Sequence, residues 1–155
     1  MATTEDLFDG LATRLQTLGV GRYIPETDTT SVYQPTDTAI VRRKLPASPD
    51  RAISLRPVPV IADHISPLGV VMVQALTRGR PNDANDAGNL AGVVKDALLG
   101  LTDVWFGPTH VIQVRFGGAV DLDADDSERE LWSTKFLVDV DEAPTILRPE
   151  GGAWD

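Results

Sequence analysis

The chain contains no cysteine, only two histidines and nine aromatic residues of the Phe, Trp and Tyr types combined among its 155 residues. Without cysteine there is no disulfide framework, no thiolate zinc site and no nucleophilic thiol. Basic residues are also in deficit: 14 Lys and Arg stand against 23 Asp and Glu, for a formal net charge of -9. That balance repels phosphate backbones and anionic membrane surfaces, so tight DNA binding is disfavoured. No apolar run is long enough for a membrane span, and the opening MATTEDLFDG carries no basic stretch of the kind that begins a signal peptide. These features lead us to expect a protein that folds in the cytoplasm where it is made. A chain of this length can bury roughly two-thirds of its unfolded surface, which suffices for a core without staples.

What is present is periodicity. Leu7, Leu11, Leu15 and Leu18, with Phe8, fall at helical spacing and are followed by Gly19 and Gly21, so a first helix is expected from about residue 4, capped by Thr3 or Thr4. Residues 19–38 are rich in turn formers and read as an irregular arm. Thr38–Leu45, Arg51–Arg56 and Val70–Thr77 read as strands. Pro57 and Pro59 should end the second strand near Arg56 or place it at an edge, leaving Val58–Leu68 as an exposed loop. Leu90, Val93, Val94, Ala97, Leu98 and Leu101 form a helical stripe, with Asp83 or Asp86 placed to cap it. After a turn at Gly107 and Pro108, His110–Phe116 and Leu131–Val140 read as strands.

The expected fold is α+β: a mixed, mainly antiparallel sheet of about four to five strands with two main helices on one face. It occupies residues 1–142 as a single domain, and residues 143–155 form a loose tail. Trp132, Phe136, Val138 and Val140 alternate with Ser133, Lys135 and Asp139, which suits a sheet covered by helices on one side and open to partners on the other.

Chemistry-bearing motifs are sparse. His64 and His110 have no close histidine partner and no H-E-x-x-H, so no metal centre is assigned. Asp121, Asp123, Asp125 and Asp126 begin like a calcium loop, but Asp126 stands where the loop needs Gly and Trp132 where it needs a bidentate Glu. The glycines at Leu18-Gly19-Val20-Gly21-Arg22 follow a helix, not a strand, and no phosphate-binding loop or G-x-S-x-G elbow occurs, so neither a nucleotide cofactor nor hydrolase chemistry has an anchor. Arg42, Arg43 and Lys44 read as a charged strand that resists aggregation. Of Trp105, Trp132 and Trp154, the last is the candidate for docking onto a partner.

The segments DLFDGLATRLQTLGVGRY, PDRAISLRPVPV, VVMVQALTRGRP, DAGNLAGVVKDALLGL and ELWSTKFLVDV, in that order, resemble the tail terminator or minor capsid (tail-completion) proteins of long-tailed bacteriophages, especially those of actinobacteria. Pro49, Asp50, Arg51 and Ala52, and Val73 and Gln74 with Arg78 and Gly79, carry the likeness. The resemblance implies a non-enzymatic virion protein with no cofactor. It would form a homo-hexameric ring that caps the tail tube, ends tube polymerisation and offers the head-joining surface. Its partners would be itself, the tail tube protein and the head–tail connector or neck protein, with DNA passing through without sequence-specific binding and no membrane involved. Asp121, Asp123, Asp125 and Asp126 are the candidate acidic lining of the lumen. The alternatives are a neck or head-completion adaptor between portal and tail, and a small-ligand domain or enzyme with an undisclosed pocket.

Overall fold

The computed structural model describes residues 2–42, 44–62 and 68–142. Helix α1 (Ala2–Thr17) is followed by strands β1 (Arg22–Tyr23), β2 (Ala39–Arg42), β3 (Ala52–Ala62) and β4 (Leu68–Pro81), helix α2 (Asp86–Leu98), and strands β5 (Thr102–Phe106), β6 (Thr109–Leu122) and β7 (Arg129–Glu142). The sheet has seven strands in the order β1-β2-β3-β4-β7-β6-β5. β1, β2 and β3 run parallel and the remaining pairings are antiparallel, so the sheet is mixed and mainly antiparallel as expected.

The strand count is higher than the four to five expected, for two reasons. β1 is two residues long, too short for a period-two signal, and lies inside the arm read as irregular. β5 has only five residues, and its alternation is broken at Asp103, whose φ is 52°. The Gly107 turn closes β5 onto β6 with Phe106 opposite Thr109.

The second strand does not stop at Arg56. β3 continues to Ala62, with Pro57 opposite Val73 and Pro59 opposite Val71. β2 pairs with β3 only as far as Leu55, so both prolines sit where β3 has become an edge and their missing N–H costs no ladder bond. The expected Val58–Leu68 loop is therefore strand through Ala62 and again from Leu68, and residues 63–67 lie outside the described residues. The other strands also outrun their expected bounds, except β2, which is shorter.

Alternation divides the sheet into two faces. Ile53, Leu55, Val71, Val73, Ala75, Phe136, Val138, Val140, Val111 and Val114 point inward and are buried with Leu7, Leu11, Leu15, Leu90, Val94 and Leu98 of the two helices. Both helices thus cover one face. α1 touches β1 and β2 at one end of the strand order and β5 and β6 at the other, so the sheet has to curl around it. Two contacts fix the curl. Phe8 meets Tyr23 of β1 edge-on at 5.4 Å, and Gly10 leaves room for the Phe106 ring of β5, which any side chain at that position would strike. α2 lies over β4 and β7, and its first turn approaches so closely that a Cβ on Gly79 would come within 2.6 Å of the Ala87 backbone nitrogen.

The caps differ from expectation. α1 begins at Ala2, which places Thr3 and Thr4 inside the helix, and α2 is preceded by Asn85, which makes no side-chain cap bond. Asp86 is occupied elsewhere: its carboxylate accepts from the Arg80 N–H at 2.8 Å and from Arg51 at 3.0 Å.

Candidate assembly surfaces

The outer face of the sheet can be read row by row from the strand register. Val58, Met72, Leu137 and Arg115 form one cross-strand row, and Arg56, Gln74, Lys135 and Gly118 the next. Ser54, Leu76, Ser133 and Val120 follow, then Ala52, Arg78, Leu131 and Leu122. Among the described residues no helix covers the first three rows. Arg56 and Lys135 are exposed, Val58 and Val120 are 40% and 55% exposed, and Met72, Leu76 and Leu137 are half-buried. This is an apolar surface carrying positive charge on a chain that is acidic overall.

The last row is closed. Arg78 is 4% exposed and its guanidinium donates to the carbonyls of Pro46, Pro49 and Asp50, the last two at 2.8 Å. Arg129, 8% exposed, donates to the Ala47 carbonyl at 2.8 Å and to the Asp50 and Asp125 carboxylates at 3.2 and 2.8 Å. Together they hold the β2–β3 connection onto the end of the sheet. Burial, with Arg129 alongside, lowers the Arg78 pKa from its ordinary value, and the nearby Asp125 and Asp50 carboxylates oppose that shift. On the other side of the connection, Arg51 joins Asp86 and donates to the Thr38 hydroxyl at 3.1 Å. Of the residues that carried the family likeness, Pro49, Asp50, Arg51, Arg78 and Gly79 meet in this one knot, whereas Val73 lies in the core and Gln74 on the outer face, bonded to Ser133.

The four loop aspartates do not behave alike. Asp125 ties the β6–β7 turn: its carboxylate accepts from the Ser127 and Arg129 N–H groups at 2.9 and 3.0 Å as well as from the Arg129 guanidinium. Partial burial works against ionisation, but those three donors outweigh it and hold this carboxyl below the usual range. Asp121, at the end of β6, and Asp123 and Asp126, in the turn, are exposed.

At the β5 edge, Val104 and Phe106 pack against the core, so Trp105 between them projects to the outer side. It is 59% exposed and stacks on the His110 ring at 4.5 Å and 9°. His110 Nε2 lies 2.5 Å from the exposed Asp103 carboxylate. Trp105 also borders an open groove with Asp6, Asp9, Gly10 and Thr13 of α1. Composition alone did not single out this corner, although an aromatic beside a Gly-Pro turn was the available signal. Trp132 lies half-buried against Gly88, and Arg42 lies over the Phe8 ring at 5.7 Å. Lys44 is exposed, while His64, Arg43, Trp154 and the 143–155 tail lie outside the described residues.

A larger open groove, about 650 Å³, runs between α1, β1 and the arm, with Glu5, Phe8, Asp9, Tyr23 and Arg42 in its wall. Its best-placed carboxylate, Asp9, is engaged by the Tyr23 hydroxyl at 2.5 Å. Burial and that bond push the Tyr23 phenol above its ordinary value, which makes it a fixed donor. Among the described residues no three metal-ligating side chains converge, and no helix is long and apolar enough to cross a membrane.

Comparison with known proteins bears on these surfaces. The bacteriophage tail terminator protein family matches residues 14–142. Among solved structures, a chain from the virion of a native gene transfer agent particle shares the fold, with a TM-score of 0.55 and 18% identity over 65% of this chain and 78% of that one. No curated protein matches the sequence. The chain belongs to the bacteriophage tail terminator protein family and is a structural protein of the virion.

Proposed function

We propose that this chain caps the phage tail tube as a closed ring, with six subunits the expected number. The ring ends tube polymerisation and presents the surface to which the head is joined. The observation that carries this reading beyond family membership is the uncovered outer face. A ring requires each subunit to offer two different patches that meet by rotation. Here the apolar, basic middle of the outer face and the Trp105 corner are two such patches on one subunit. The tail tube protein and the neck protein are the partners above and below. The role is stoichiometric, that of a structural part of the virion, as family membership supports.

DNA has to pass such a ring without sticking. Asp121, Asp123 and Asp126 are suited to line the lumen because their charges face solvent, whereas Asp125 contributes mainly to the turn that holds them. Replacing those three with Asn should slow or trap DNA passage, and unchanged infectivity would remove the loop from the lumen.

The test is electron microscopy of particles assembled with and without the chain. Overlong, headless tails in its absence establish a terminator. Tails of normal length beside unjoined heads reassign it to the neck, and unaltered virions refute both roles.

A further inference from the structure

From the two outer-face patches we infer a specific subunit contact: the Trp105 corner of one copy laps over the Arg56–Lys135 region of the next. This rests on the ring reading and names the surfaces that would close it.

The two patches differ in charge. Arg56 and Lys135 lie in one row across the outer face, on either side of Gln74, and neither has a carboxylate partner among the described residues. Arg115, in the adjoining row, is neutralised by Asp139 through paired bonds of 2.9 Å, so the unbalanced positive charge belongs to Arg56 and Lys135. The corner has the opposite sign. Asp103 is 84% exposed beside Trp105, and Asp6 and Asp9 share its edge groove.

Apolar surface matches in the same way. Trp105 is the most exposed aromatic side chain among the described residues, and its ring is held in place by the stack on His110. Tryptophan is among the residue types that most often anchor an interface. Its counterpart is the row of Val58, Met72 and Leu137 beside the basic row, which offers apolar contact without a helix above it.

The two patches cannot satisfy one another within a single chain, because the corner ends the sheet at β5 and the basic row spans β3, β4 and β7. A second copy related by rotation brings them together, and because the patches differ, the contact repeats head to tail, as a ring requires. Each subunit would overlap its neighbour like a roof tile.

The cysteine-free chain makes the test direct. Trp105→Cys and Met72→Cys are introduced separately and together, with Val58→Cys as a second acceptor position. Purified protein and assembled tails are oxidised and run without reductant. The inference expects a covalent ladder from the doubly substituted chain and none from any single variant. Dimers from Trp105→Cys alone would reveal a two-fold contact and overturn it. Rings or normal tails that show no ladder with either acceptor would also overturn it, leaving the ring reading intact and assigning the outer face to the lumen or to another protein. Absence of rings from the wild-type chain, both in solution and at the tail end, would instead fail the ring reading itself. As a second measurement, Lys135→Glu with Arg56→Glu should weaken self-association at least tenfold by sedimentation while the circular dichroism spectrum stays unchanged; undiminished association would overturn the contact.

Discussion

The two faces of the sheet are made from alternate residues of the same strands, and the difference between them separates folding from assembly. Phe136 is fully buried under the helices, whereas Lys135, its neighbour in the chain, is exposed on the other side. The inner face is nearly all apolar; of its few polar groups, the Thr77 hydroxyl donates to the Ala87 carbonyl at 3.1 Å, whereas the buried Thr134 hydroxyl has no partner among the described residues. The outer face mixes Met72, Leu76 and Leu137 with Arg56 and Lys135. An inner face of that kind stabilises the monomer by removing apolar area from water. The outer face gains little until a partner covers it, so changes there should be read in assembly.

The largest effect that sharpens this contrast is expected at Phe136. Phe136→Ala should cost about 3–5 kcal/mol in urea unfolding, while Lys135→Ala should stay within about 0.5 kcal/mol. Equal losses at the two positions would break the distinction. Next comes the knot that closes one end of the outer face. Arg78→Ala strands three carbonyls and should cost about 2–4 kcal/mol, at one to three per buried group left unmet and with water recovering part of it.

Gly10→Ala tests the curl of the sheet. Alanine favours a helix by about 1 kcal/mol over glycine, yet here its methyl group strikes the Phe106 ring, so a net loss of about 1–3 kcal/mol is expected. A gain in melting temperature would mean that β5 does not bear on α1.

Acid should act on the outer side and the turn before it acts on the core. The Asp139 carboxyl is held below its usual range by the Arg115 guanidinium, and Asp125 by its three donors. A depressed folded-state pKa contributes stability that is present above the unfolded value, near 3.9, and is lost as pH falls through the folded value. Stability should therefore decline below about pH 4, and Asp125→Asn should flatten that part of the profile. The smallest expected effect concerns Thr134, whose buried hydroxyl has no hydrogen-bond partner among the described residues. Thr134→Val should be neutral or stabilise by about 1 kcal/mol in the same assay.

Much of the inner face was legible in the sequence because burial leaves periodicity behind. The Leu7–Leu15 and Leu90–Leu98 stripes and the alternation of β7 located both helices and the face they cover. Less legible was anything set by partners distant in the chain. Pro57 and Pro59 read as a strand end because sequence alone does not say that β2 stops at Leu55 and frees that edge. β1 exists only because β2 is beside it. Of the candidate site, four aspartates were visible as charge, but only the turn geometry distinguishes Asp125, clasped by Arg129, from the three that face solvent. The Trp105 corner escaped notice because its significance lies in exposure, which composition does not encode.

Whether the outer face builds the tail-capping ring is decided by complementation. Particles lacking the wild-type chain are supplied with the folded Lys135→Glu, Arg56→Glu variant and their tails are measured by electron microscopy. Overlong, headless tails are expected, as when no chain is supplied. Virions of normal length with heads attached would contradict that role of the outer face.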